Sequence, residues 1–214
     1  MNTNTEDELR AMVQRSTAQA ARAEWLTSQE SSEAPLFDYR YDHVAQVVSV
    51  AKYISEREGA DIDLVVPAAW LHDISKPAMG GVKEHAKASA EMSRDILTRL
   101  GYKQDTTAAI CDIIQKHEGL TLGEPLAPLE AQILWEADKI VKLGVTGLFH
   151  YVLAGIKLRP GRSISDWYHD LVGFLGLADR IAASMHTTTG RELAYERLSV
   201  IRATVEALGK EVSP

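Results

Sequence analysis

Two adjacent residues, His72 and Asp73, follow the most apolar segment of the chain, residues 65–71. A buried imidazole beside a buried carboxylate is costly unless other groups satisfy both side chains. A divalent cation satisfies them together, because a neutral imidazole supplies a nitrogen ligand and a carboxylate supplies an oxygen ligand. The pair therefore indicates a buried metal site.

The position of this pair within its helix decides whether both side chains can reach one ion. Adjacent residues of an α-helix point about 100° apart, so they converge on a single ion only near a helix end. Residues 75–77, Ser-Lys-Pro, lead out of the helix and into a loop. We therefore expect His72 and Asp73 to lie at the end of a buried helix.

Four residues in other segments offer matching ligand atoms. Three are histidines where a predicted helix begins or ends, and the fourth is an aspartate inside an apolar helix: His43, His85, His117 and Asp138. A single histidine on an apolar helix is more often a hydrogen-bonded core residue than a ligand. Six such residues, anchored by an adjacent pair, favour a metal site instead. Nitrogen and carboxylate ligands without sulfur suit Mn, Fe, Co, Ni or Mg, and suit Zn less well.

This ordered set resembles the HD-domain phosphohydrolase superfamily, whose pattern is a histidine, then a His-Asp pair, then a distant aspartate. The resemblance covers residues 37–144 and extends weakly into the C-terminal helices. Its most specific part is residues 70–76, Trp-Leu-His-Asp-Ile-Ser-Lys, which are similar to the family's Leu-His-Asp-Ile-x-Lys. Residues 137–139, Ala-Asp-Lys, resemble an element that comes late in the family pattern.

The resemblance implies a first ion held by four residues: His43, His72, Asp73 and Asp138. His85 and His117 match the two additional histidines of binuclear members, in which the aspartate of the pair bridges both ions. Those members include symmetrical dinucleoside tetraphosphate hydrolases and cyclic dinucleotide phosphodiesterases. The step of 13 residues from His72 to His85 is shorter than in those subgroups. The sequence therefore leaves one ion and two ions open.

By the same resemblance, the chain is a metal-dependent phosphohydrolase that cleaves a phosphate ester or anhydride of a nucleotide or related small molecule. The ion would activate a water for attack on phosphorus and offset charge on a phosphoryl oxygen, while Asp73 would also orient this water. A phosphomonoesterase and a phosphodiesterase or pyrophosphohydrolase are not separable from sequence. The alternative is a non-catalytic nucleotide-binding sensor or interaction module on the same scaffold. A helical bundle without any site is a third interpretation.

Three basic residues are candidates for binding the substrate phosphate. The resemblance favours Lys76, in the loop that leaves the site, as a contact to the phosphate or the leaving group. Arg40 lies three residues before His43 and would point the same way if that helix begins early. Lys142 lies one turn after Asp138, on the same helix face.

Several other polar residues are better explained without a site. A second pair, His169-Asp170, lies in an amphipathic segment and has no lysine three residues later, so we interpret it as a partly exposed helix face. The same interpretation applies to His150 and His186, and Lys139 is expected at the surface.

The apolar spacing predicts helices almost throughout, separated by glycine and proline turns. The expected helices cover residues 42–57, 61 or 63 to 75, 83–100, 105 or 106 to 118, 129–143, 145–157, 163 or 165 to 185, and 189–208. Residues 6–27 are expected to be helical only in part, because their apolar residues are too sparse for a clear stripe. Pro67 fits only in the first turn of its helix. Because no segment alternates with period two, we predict an all-α fold, a compact bundle of short helices of the HD-domain type.

Length and composition limit the classes of protein to consider. With 214 residues and 45% hydrophobic residues, we expect one domain at residues 35–214 and a peripheral extension at residues 1–34, partly helical or disordered. The net charge of -7 argues against binding a nucleic acid duplex. Without an apolar run of about 20 residues or a signal peptide, we expect a soluble cytoplasmic protein that binds no membrane.

Two further expectations concern packing. The one cysteine, Cys111, lies in an apolar run and excludes an internal disulfide, so we expect an inert buried thiol. A homodimer stays open, because a stripe of apolar residues near the C-terminus is explained equally by the core or by a dimer contact: Leu171, Val172, Phe174, Leu175 and Leu177.

Overall fold

The computed structural model describes residues 3–25, 35–79 and 83–212. These residues form nine α-helices and no strand, so the predicted all-α class is confirmed. The helices are α1 Thr3–Trp25, α2 Tyr39–Glu58, α3 Ile62–Leu71, α4 His85–Arg99, α5 Gln104–Gln115, α6 Leu129–Ile140, α7 Gly144–Leu158, α8 Ile164–Ala183 and α9 Thr188–Val212. The chain divides into two compact units, residues 1–118 with 126–137, and residues 119–125 with 138–214.

Helix α3 is the centre of the first unit and contacts α1, α2, α4 and α5. Its residues 65–71 are all buried, which explains why the sequence is apolar on every side of this helix. Asp61 caps its N-terminus by accepting a hydrogen bond from the backbone of Asp63. Our restriction on Pro67 was wrong, because the residue lies inside α3, beyond its first turn. A proline at this position lacks the N–H that would bond to the residue four positions earlier, Asp63, which is exposed.

Helix α2 begins at Tyr39, almost one turn before the predicted start at residue 42. The early start follows from Asp38, whose side chain accepts a hydrogen bond from the backbone N–H of Tyr41 at 3.0 Å. The helix ends at Gly59, which adopts the left-handed conformation with φ of 74° and donates its N–H to the carbonyl of Ser55. The early start places Arg40 in the first turn of α2.

Helix α1 contributes to the core of the first unit. It contacts α2 and α3, and it buries Leu9, Val13 and Ala21 completely or nearly so. The helix expected at residues 6–27 is therefore present, but its packing is closer than that of a peripheral extension. Residues 26–34 and 80–82 lie outside the described residues, together with the chain ends.

In the second unit, α9 packs against α7 and α8. Helix α8 begins after Ser163, the earlier of the two predicted starts, where Ser163 and Asp166 form a capping box. Gly155 of α7 lies against the ring of Trp167, and a Cβ at Gly155 would be 2.2 Å from that ring. In the apolar stripe Leu171 is buried and Val172 is 45% exposed, and the homodimer stays a prediction.

The cysteine and the apolar helices were both considered in the sequence. Cys111 is a free, buried thiol on α5, as predicted, and burial raises its pKa. Within the described ranges, no single helix is long and apolar enough to cross a membrane, whereas α6 and α7 reach that length and composition only as a bent pair.

Candidate metal centre

His72 and Asp73 lie where α3 ends, as their spacing predicted. The helix ends at Leu71 and the chain continues as a turn, so both side chains face the interior of the first unit, 0% and 4% exposed. The Nδ1 atom of His72 lies 2.8 Å from the carbonyl oxygen of Ala69. Donation to that carbonyl leaves the Nε2 atom of His72 with a lone pair, and Nε2 lies 3.7 Å from Asp73 Oδ2.

Asp73 Oδ2 also faces a second histidine. His43, in the first half of α2, is buried, and its Nε2 atom lies 3.8 Å from this oxygen. One ligand atom from each of His43, His72 and Asp73 lies within 4.8 Å of the other two. The first three predicted ligands are therefore brought together.

The other carboxylate oxygen, Asp73 Oδ1, faces the two remaining histidines. The Nε2 atoms of His85 and His117 lie 3.6 Å and 3.8 Å from it, and these three residues form a second group with ligand atoms within 4.8 Å of one another. The Nδ1 atom of His117 lies 2.6 Å from the carbonyl oxygen of Ile114, which repeats the arrangement at His72 and directs Nε2 toward Asp73.

Each group could hold a divalent cation, because one ligand atom from each of its three residues lies within 4.8 Å of the other two. Ligands to Zn²⁺ and similar ions lie at about 2.1 Å, so two ligand atoms on one ion are at most about 4.2 Å apart. The four separations between histidine Nε2 and Asp73 oxygen atoms are all below this limit. The donors are imidazole nitrogen and carboxylate oxygen, and each oxygen of Asp73 faces its own pair of histidines. Asp73 therefore offers one oxygen to each of the two groups that could hold a metal ion.

The charges around Asp73 keep its carboxyl ionised. Burial opposes ionisation, but His72, His117, Arg40 and Lys76 around the carboxylate hold the pKa of Asp73 well below its ordinary value. The carboxylate is therefore available as a ligand throughout the neutral pH range.

The surroundings of His85 favour its neutral form by lowering its pKa. Burial, and then the charge of Lys76, lower the pKa of His85 below its ordinary value, although Asp73 and Glu118 act in the opposite direction. A neutral imidazole retains the lone pair that a cation needs. His85 lies 17% exposed and is the more accessible edge of the second group.

Two basic side chains lie against Asp73. Arg40 Nη1 pairs with Asp73 Oδ2, and Arg40 Nη2 donates to the carbonyl of Ala78 at 3.2 Å. Lys76 Nζ lies 3.2 Å from Asp73 Oδ1, and the Lys76 side chain is 15% exposed. Helix α2 does begin early enough for Arg40 to point toward the site. Whether Arg40 and Lys76 bind substrate stays a prediction.

The remaining predicted site residues, Asp138 and Lys142, belong to the second unit. Asp138 is buried in α6, and its Oδ1 atom lies 2.6 Å from Lys142 Nζ. Lys139 also pairs with Asp138 and is only 3% exposed, so our surface assignment for Lys139 was wrong. The position of Lys139 directly after a carboxylate in an apolar helix was the signal that could have identified this pair. The roles of Asp138 as a ligand and Lys142 as a phosphate contact stay predictions.

The second His-Asp pair behaves as predicted. His169 is exposed and lies with Nδ1 2.7 Å from the carbonyl oxygen of Ser165, while half-buried Asp170 pairs with Arg159 and Arg162. His150 is a correction, since it is buried in α7 rather than partly exposed.

Sequence reasoning missed three supporting groups in the first unit. The carbonyls of Ala69 and Ile114 orient His72 and His117, and in both cases the carbonyl lies three residues before its histidine. That common spacing at a helix end was a usable signal. Glu118, whose Oε1 atom lies 3.7 Å from His85 Nδ1, carried no such signal because it lies in a loop.

Comparison with known proteins agrees with this geometry. Residues 40–143 match the HD domain family, and this range contains all six predicted ligands. Residues 40–143 are therefore an HD domain, as the motifs predicted.

Several proteins resemble the chain over most of its length. YpgQ of Bacillus subtilis is 28% identical over 195 residues, which cover 88% of this chain and 90% of YpgQ. The crystal structure of YpgQ in complex with ADP matches with a TM-score of 0.66 and 22% identity, over 97% of this chain and 98% of that one. An HD-superfamily hydrolase from Bacillus thuringiensis matches with a TM-score of 0.66 and 18% identity, over 97% and 96%. At such identities the matched structures establish a common fold.

Proposed function

We propose that this protein is a metal-dependent phosphohydrolase that cleaves a phosphate ester or anhydride of a nucleotide or a related small molecule. One observation carries the proposal. The two carboxylate oxygens of the buried Asp73 face separate pairs of histidines at distances that suit ligands of a divalent cation. The match of residues 40–143 to the HD domain family supports the reaction class.

Two ions would share Asp73 in this proposal. His43 and His72 would hold the first ion, with Asp138 as a further ligand, and His85 and His117 would hold the second. Manganese, iron, cobalt, nickel or magnesium suits these nitrogen and oxygen donors better than zinc. When bound, the cations would lower the pKa of a coordinated water and offset negative charge on a phosphoryl oxygen.

The residues of the chain prepare the site before substrate arrives. The ionised carboxylate of Asp73 orients the attacking water and accepts from it, and the backbone carbonyls that hold His72 and His117 keep both rings aimed at Asp73. Lys76 is the basic side chain near Asp73 that is partly accessible, so it would bind the phosphate or the leaving group.

A nucleotide is the substrate class that we propose. The relative from Bacillus subtilis has been crystallised with ADP, which carries a phosphate anhydride. Arg40 and Lys142 are further candidates for phosphate binding, although in the structure the Arg40 guanidinium contacts Asp73 and the Lys142 ammonium contacts Asp138. Cleavage of a phosphomonoester and of a diester or anhydride are both compatible with these donors.

Metal content and turnover of an Asp73→Ala variant test the proposal. We expect the wild-type protein to bind divalent ions, measured by elemental analysis, and to hydrolyse at least one member of a panel supplemented with manganese. The panel contains nucleoside monophosphates and triphosphates, cyclic dinucleotides and dinucleoside polyphosphates. Asp73→Ala should lose both metal and turnover while its circular dichroism spectrum retains most helicity, because both groups of ligands lose their common oxygen donor.

Turnover that persists in Asp73→Ala would refute the assignment of the site. Tight nucleotide binding by a metal-loaded wild-type protein, without hydrolysis of any panel member, would favour the sensor instead. His169→Ala is the matched control, since this histidine lies on an exposed helix face.

A further inference from the structure

Arg40 is the side chain that holds one edge of the Asp73 carboxylate. It is 6% exposed, its Nη1 atom pairs with Asp73 Oδ2, and its Nη2 atom donates to the carbonyl of Ala78. The guanidinium also lies over the ring of Tyr39, with 5.2 Å between Cζ and the ring centroid. A planar guanidinium fixed on several sides can set the orientation of a carboxylate, because its donors point in fixed directions.

The first link from α1 to Arg40 is indirect and runs through the start of α2. Asp38 caps α2 with one carboxylate oxygen, and its other oxygen, Oδ2, accepts a hydrogen bond from the Thr17 hydroxyl at 2.8 Å. Thr17 is itself buried. The hydroxyl of an α1 residue therefore holds the capping residue that makes α2 begin one turn before His43.

The second link from α1 to Arg40 runs through the loop after Asp73. The Ala78 carbonyl that accepts from Arg40 and the Met79 N–H belong to the same peptide group. That N–H donates to Glu24 Oε1 at 2.8 Å. Because a peptide group is planar, holding its N–H also directs its carbonyl oxygen. Glu24 of α1 therefore orients the acceptor of Arg40 Nη2.

We propose that α1 is a positioning element of the metal centre, in which Thr17 and Glu24 hold Arg40 and Arg40 holds Asp73 in the orientation that offers one oxygen to each pair of histidines. Helix α1 lies before residues 40–143, the part that matches the HD domain. Thr17 and Glu24 contact neither substrate nor cation and act through Arg40. This inference rests on the metal centre proposed above.

The test compares the Mn²⁺ affinity of variants of the full chain that keep the charge of Arg40. Thr17→Val removes the hydroxyl and Thr17→Ser retains it, while Glu24→Ala removes the acceptor and Glu24→Gln retains a carbonyl oxygen. Lys52→Met is the matched control, because it breaks another link of α1 to α2, the 2.5 Å contact of Lys52 with Glu6, without touching Arg40. Each protein is stripped with EDTA, titrated with Mn²⁺ by calorimetry, and unfolded thermally without metal to measure how far α1 docking is weakened.

We expect Thr17→Val and Glu24→Ala to weaken Mn²⁺ binding on the order of tenfold, as for other groups that orient a ligand. Thr17→Ser, Glu24→Gln and Lys52→Met should keep the wild-type affinity, even where Lys52→Met lowers the unfolding temperature as much as Thr17→Val. The inference would be overturned if Lys52→Met lost as much Mn²⁺ affinity as Thr17→Val and Glu24→Ala. It would also be overturned if Thr17→Val and Glu24→Ala kept the wild-type affinity or bound Mn²⁺ more tightly. If the wild-type protein binds no Mn²⁺, the proposed function falls with it, whereas normal wild-type binding without these differences refutes the positioning role alone.

Discussion

At the scale of residues, the hydrogen bond on one ring nitrogen decides whether a histidine can bind a cation through the other. His72 and His117 each place Nδ1 against a carbonyl three residues earlier, which leaves Nε2 directed at Asp73. The Nδ1 atom of His85 lies 3.7 Å from Glu118 Oε1. Each group of ligands therefore contains one histidine that a backbone carbonyl orients.

His85→Ala should reduce the number of bound Mn²⁺ ions from two to one. The group formed by His43, His72 and Asp73 keeps all its ligands in this variant, whereas the second group retains only His117 and the shared Asp73. Elemental analysis after gel filtration measures the stoichiometry, and His169→Ala is the control. Two tightly held ions in His85→Ala would contradict a ligand role for this histidine.

At the scale of elements, helix ends bring the ligands together. Helix α4 begins at His85 and α5 ends two residues before His117, and the two helices pack against each other with a short turn between them. The ring centroids of these histidines are 5.1 Å apart. The short step from His72 to His85 therefore does not exclude a second ion, because the histidine at the far end of this helical pair returns to the same place.

Another close approach between elements predicts an effect on stability. Gly155→Ala should lower the free energy of unfolding by about 1–3 kcal/mol, because the added Cβ meets the rigid, buried ring of Trp167 at 2.2 Å. The usual helix-propensity gain of alanine over glycine, about 0.5–1 kcal/mol, is too small to offset this overlap.

Urea unfolding followed by circular dichroism measures this effect. Gly173→Ala is the matched control, since a Cβ at Gly173 of α8 meets nothing within 4 Å and should stabilise the protein by about 0.5–1 kcal/mol. A Gly155→Ala variant as stable as Gly173→Ala would show that α7 and α8 are not packed as described.

At the scale of the whole molecule, the net charge favours cations, whereas the proposed substrate is an anion. The chain carries a net charge of -7, which attracts cations and repels anionic substrates at long range. In the proposed function, binding of a phosphate group would therefore depend on local positive charge, from the bound ions and from Lys76 near Asp73.

Metal binding should stabilise the folded chain as a whole. For each bound ion, the free energy of unfolding should rise by about 2.7 kcal/mol at a free Mn²⁺ concentration one hundred times the dissociation constant, because the ligands meet only in the folded state. Chemical unfolding with Mn²⁺ and with EDTA measures the difference. Asp73→Ala should show no such difference, and an equal rise in that variant would indicate binding elsewhere.

Much of this protein was predictable from local pattern. Apolar spacing identified helices α2 to α9 to within about a turn, because each of them buries a stripe that repeats with the helical period, whereas α1 showed no clear stripe in the sequence. The residue types also identified the six candidate ligands, since imidazoles and carboxylates in apolar segments need a partner that water cannot provide. Lys139 and His150 were misplaced, because exposure depends on what another element places over a side chain.

Tertiary structure alone decided how these residues divide their work. The two oxygens of Asp73 face different histidine pairs because α2 and α4 begin, and α3 and α5 end, near one carboxylate. No spacing along the chain encodes that convergence. The links from Thr17 and Glu24 to Arg40 likewise join residues that are distant in sequence. A sequence determines which side chains are costly to bury, whereas packing in three dimensions determines which of them satisfy one another.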